Sequence, residues 1–67
     1  MIHNDQELEA TQERILRFQR LLAQLRVTAT PEEFPFVASG YLSEVKKMEE
    51  EVRQYLSTPA SEPVAAR

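Results

Sequence analysis

The stretch His3–Leu25, HNDQELEATQERILRFQRLLAQL, decides the fold. Leu8, Thr11, Ile15, Phe18, Leu22 and Leu25 recur at alternating spacings of three and four, which lines side chains up along one stripe of a helix. Thr11 is the one polar member of that stripe. Asn4 followed by Glu7 predicts a capping box, in which the amide accepts from a free backbone N–H and the glutamate returns to the N–H of the cap residue itself. Asp5, Glu7 and Glu9 put negative charge where the helix dipole favours it. A first helix over about residues 5–26 follows, closed at Arg26, with a stripe that is useful only against a partner.

Downstream, VTATPEEFPF (Val27–Phe36) breaks the period with β-branched residues and two prolines. Thr30, Pro31 and Glu33 read as a cap, a first-turn proline and a capping glutamate. Pro35 has no N–H to close a helix begun at Pro31, so a single short turn and a restart near Pro35 are expected. The stripe then resumes through Phe34, Ala38, Tyr41, Val45, Met48, Val52 and Tyr55, predicting a second helix over about residues 35–56. Gly40 lies inside it at a cost of about 1 kcal/mol relative to alanine. Beside Ala38 and Ser39 it either lets another backbone approach or is tolerated on an open face. Ser57–Arg67 carries no periodicity and is expected to be a disordered tail.

Two such stripes joined by a proline turn predict an all-α fold, an antiparallel two-helix hairpin. Matching the heptads sets Leu8 level with Tyr55, Thr11 with Val52, Ile15 with Met48, Phe18 with Val45, Leu22 with Tyr41 and Leu25 with Ala38. The reversal is then centred at Pro31 and Glu32. A chain of 67 residues without cysteine has neither disulfides nor thiolate zinc sites to stiffen it. Single cores below roughly 70 to 80 residues rarely contribute more than about 3 to 5 kcal/mol, which leaves oligomerisation as the remaining device. Leu16, Leu21, Leu42 and Leu56 lie beside the stripes and form the candidate dimer surface, predicting a homodimer closed as a four-helix bundle.

Eight basic against eleven acidic residues, interspersed, argue against nucleic-acid binding. Apolar runs of two or three residues cannot span a membrane. MIHNDQ has neither the basic start nor the apolar run of a signal peptide, so a cytoplasmic location is expected. His3, the single histidine, has no companion to complete a metal site. Tyr41 and Tyr55 fall on the stripe and read as packing residues. Glu49, Glu50 and Glu51 point about 100° apart in turn and cannot converge on one ion. Arg14, Arg17 and Arg20 are expected in ion pairs with acids such as Glu13, Glu44 and Glu51. With no phosphate loop, nucleophile elbow or paired carboxylates, the expectation is a protein without enzymatic activity, cofactor or catalytic residue.

The pattern Ile2, Asn4, Glu7, Leu8, Thr11, Phe18 and Leu22 resembles the N-terminal helical segment of HigA-like antitoxins and related XRE-type helix-turn-helix regulators. VKKMEEEVRQYL (Val45–Leu56) is similar to that family's charged second helix, while Leu8 stands where an aromatic is usual. No recognition helix is expected after Leu56. The resemblance therefore implies an association or partner-binding segment without operator binding of its own, and leaves open whether a toxin or regulator is its protein partner. The reading reached from the residues is a small helical interaction and oligomerisation module. The alternative is an antitoxin-like regulator that restrains a toxin or enzyme.

Overall fold

The computed structural model describes residues 1–60; most of the expected disordered tail, 61–67, lies outside the described residues. Two helices, α1 (Asp5–Thr28) and α2 (Phe34–Leu56), pack against each other as a hairpin. No helix among the described residues is long and apolar enough to cross a membrane.

Asn4 caps α1 from an extended backbone (φ −155°, ψ 173°), and its Oδ1 accepts from the Glu7 N–H at 2.8 Å. The return half of the box differs from expectation. The Glu7 carboxylate accepts from the His3 N–H at 2.7 Å, one residue before the cap, and also lies 3.2 Å from His3 Nδ1. With Asn4 extended, the His3 N–H faces the first turn, and reaching it gives the carboxylate two partners on one residue. Those hydrogen bonds, the backbone one foremost, hold the Glu7 carboxyl below its ordinary pKa.

α1 runs two residues past Arg26. Val27 and Thr28 stay helical despite β-branching, and Thr28 Oγ1 donates back to the Gln24 carbonyl at 3.1 Å. The stop comes from Pro31, which disfavours helical backbone at the residue before it. Pro31–Glu33 form one turn, locked by a reciprocal pair: the Thr30 N–H donates to Glu33 Oε1 and the Glu33 N–H to Thr30 Oγ1, both at 3.2 Å. α2 then begins at Phe34 with Pro35 in its first turn, where a missing N–H costs nothing.

The buried side chains are Ile2, Ala38, Val45 and Met48. α2 supplies three of them and α1 none. A two-helix fold has one contact layer, so the larger α1 side chains Leu8, Ile15, Phe18, Leu22 and Leu25 are covered from one direction and stay half-buried. Ala38 has no exposure at all, because its methyl group sits under the facing helix without reaching past it. Ile2 closes the far end. It lies two residues before the cap and shares a shallow depression with Ala10, Thr11 and Arg14, fixing the direction of chain entry as a hydrophobic staple does.

Candidate interaction surface

The stripe residues turn inward as a set. Leu8, Thr11, Ile15, Phe18, Leu22, Leu25, Phe34, Val52 and Tyr55 are half-buried, Ala38, Val45 and Met48 buried, and Tyr41 lies at the rim. Two contacts across the hairpin fall short of the level pairs. Phe18 meets Tyr41 edge to face, centroids 5.5 Å apart with planes at 90°, one helical turn from Val45. Tyr55 donates its hydroxyl proton to Asp5 Oδ1 at 2.6 Å, three residues before Leu8. A knob on one helix fits between residues of the other, and a long aromatic spans the difference, so level matching is good only to about a turn. The hydrogen bond to Asp5 is the main reason the Tyr55 hydroxyl titrates above its ordinary range.

The charged side chains depart from the expected ion pairs. Arg14 lies over the Phe18 ring, its guanidinium carbon 5.9 Å from the centroid, and Glu51 is 3.7 Å from the Met1 ammonium. Among the described residues no carboxylate lies within ion-pair distance of Arg14, Arg17 or Arg20. On α1, the acids precede the bases as a block, so each arginine has mostly arginines or neutral residues within a turn. Glu50 pairs instead with Arg53 at 3.2 Å. Glu50 and Glu51 thus face different partners, and among the described residues no group of three or more potential ligands is placed to hold a metal ion.

The four flanking leucines separate. Leu16, Leu42 and Leu56 are exposed by 46, 53 and 62%. Leu16 and Leu21 are five residues apart and so point about 140° apart, which places half-buried Leu21 on the opposite broad face. On the Leu16 face, Leu42 borders a shallow groove lined also by Gln19, Leu22, Ala23, Arg26 and Phe34. Leu16, Gln19 and Ala23 lie in one row along α1, while Leu42, Glu49 and Leu56 repeat every seven residues along α2. One side of the hairpin is therefore largely apolar over its turn half, with Gln19 and Arg26 on the α1 edge, and carries Glu49 between Leu42 and Leu56 toward the other end. The opposite side carries Gly40, where an added Cβ would meet nothing within 4 Å.

No family model matches the chain, and neither a curated protein nor a solved structure matches it. Ile2, Asn4 and Glu7, three of the residues behind the resemblance to antitoxin helices, have a local structural use in building the start of α1. Ile2 is also the core residue that periodicity alone misses. An apolar residue just ahead of a strong cap is the signal that finds it.

Proposed function

We propose that the chain is a non-enzymatic helical interaction module that acts through homodimerisation and a protein partner. The observation that carries this reading is that Leu42 stays exposed at the edge of a largely apolar groove, with exposed Leu16 on the same side, after the seam has been filled. Apolar area buried in association is worth roughly 25 cal/mol per Å², and a fold this thin has few other ways to gain it. Coupled folding and association make the melting temperature rise with protein concentration. Sedimentation and thermal melts across a hundredfold concentration range test the proposal. A well-folded monomer with a constant melting temperature rejects it.

A second reading, an antitoxin-like regulator that restrains a toxin or enzyme, draws on the resemblance of α1 together with exposed Val27 and Phe36 near the turn. It predicts that purified chain without its partner is poorly folded at every concentration and becomes helical on adding that partner. Concentration-dependent folding of the chain by itself argues for the first reading.

A further inference from the structure

We propose that a second copy of this chain docks on the groove with its turn at the opposite end, about a two-fold axis that passes at the level of Leu42. This rests on the dimerisation reading and specifies which face is used and in which orientation.

Three observations converge on it. The first ten residues of α2, Phe34–Ser43, carry no charge, so the α2 wall of the groove brings no ion of its own into the contact, and Arg26 on the α1 wall is the charge that a docked copy must meet. Charge is also graded along the hairpin. On α1 the acids Asp5, Glu7, Glu9 and Glu13 all precede the bases Arg14, Arg17, Arg20 and Arg26; on α2 Glu44, Glu49, Glu50 and Glu51 outnumber Lys46, Lys47 and Arg53 toward the acidic end, while Glu32 and Glu33 in the turn offset part of the basic half. Copies docked with their turns together would stack like on like, whereas opposed copies set each acidic end beside the other's basic half.

The third observation is one of distance. The Phe18–Tyr41 contact fixes Leu42 at about the level of Phe18. Arg26, on the groove, lies eight residues from Phe18 toward the turn, about 12 Å at the helical rise; Glu49 lies seven residues from Leu42 toward the other end, about 10.5 Å. A two-fold at Leu42 therefore carries Arg26 of each copy to the level of Glu49 of the other. Both residues fall on the side of their helix that turns toward the groove.

The same axis lays α2 antiparallel on α2 of the second copy, with the Leu42 side chains face to face. For helices about 10 Å apart, whose Cα atoms lie about 2.3 Å from each axis, the two Cα atoms at position 42 come to about 5 Å, within disulfide range. In a dimer with the turns together α2 packs on α1 instead, and the two positions are too far apart to bond.

The chain has no cysteine, so single-cysteine variants of the full chain report directly. Leu42→Cys should form a disulfide-linked dimer under mild oxidation, while Gly40→Cys on the opposite face stays monomeric on non-reducing gels. Independently, Arg26→Glu or Glu49→Arg alone should weaken association by about tenfold in sedimentation, and the double swap should restore it. Crosslinking through position 40, through both positions or through neither, in a chain that still dimerises, overturns the face or the orientation while leaving dimerisation standing. Unchanged affinity in both single charge variants does the same. A folded monomeric wild type removes both this proposal and the reading beneath it.

Discussion

At Gly40 the helix carries its most costly residue with no compensating contact inside the hairpin, since a Cβ there meets open space. Gly40→Ala should therefore stabilise the chain by about 0.5 to 1 kcal/mol, read from urea denaturation. A loss of stability would show that a backbone from outside the hairpin packs against this position. Two other residues report through pH. The Glu7 carboxyl titrates below its ordinary value, so its contribution is complete above that value and fades as acid drives the pH through the lowered pKa. The Tyr55 hydroxyl titrates above its ordinary value of about 10, so its contribution is complete below that pH and is lost as the pH rises through the raised pKa. Tyr55→Phe should abolish the alkaline loss attributable to this group and leave the acid limb unchanged in pH-dependent melts.

Within the elements, the stripe was legible because a helix repeats its inward side chains regardless of what they meet. Leu8 to Leu25 and Ala38 to Tyr55 could thus be assigned from spacing, as could the turn from Thr30, Pro31, Glu33 and Pro35. What spacing does not hold is the axial offset between helices. That offset is set by shape: Phe18 against Tyr41 and Tyr55 reaching Asp5 place the contacts about a turn away from level pairs. Nor does it say which flanking leucines share a face, which requires angles round the helix. The choice of His3 over Asn4 by Glu7 depends on backbone torsions at the cap and was equally hidden. Ala38 offers the sharpest test of the seam. It is fully covered, so Ala38→Leu should overpack the contact and cost about 1 to 3 kcal/mol, measured by denaturation, whereas the same change at exposed Ser39 should be nearly neutral.

For the whole molecule, the division of the leucines between two broad faces should separate effects on stability from effects on the proposed association. Leu16→Lys and Leu42→Lys place charge on the proposed docking face and should shift sedimentation toward the monomer. Leu21→Lys, at a half-buried position on the other face, should lower the melting temperature at all concentrations alike. Equal effects of all three on association would mean that the two faces act together. Because Leu42 and its groove adjoin the half of α2 without charges, a kosmotropic salt such as sulfate should strengthen the apolar part of the proposed contact, while the graded charges lose their orienting effect.

The reciprocal Thr30–Glu33 lock bears on how quickly the chain finds this arrangement. It joins α1 to α2 across five residues, so closing the turn brings the nearest stripe residues together at small entropic cost, and each later pair closes a loop already shortened by the one before. Hairpins assembled this way zip from the turn outward, in microseconds to milliseconds. Thr30→Ala should then slow refolding in stopped-flow measurements, while Tyr55→Phe at the far end should mainly accelerate unfolding. Docking of two zipped hairpins would follow as a separate step whose rate scales with concentration. On that route the connection that reverses the chain would also be its clock, setting the moment at which an apolar face first exists for the proposed second copy to meet.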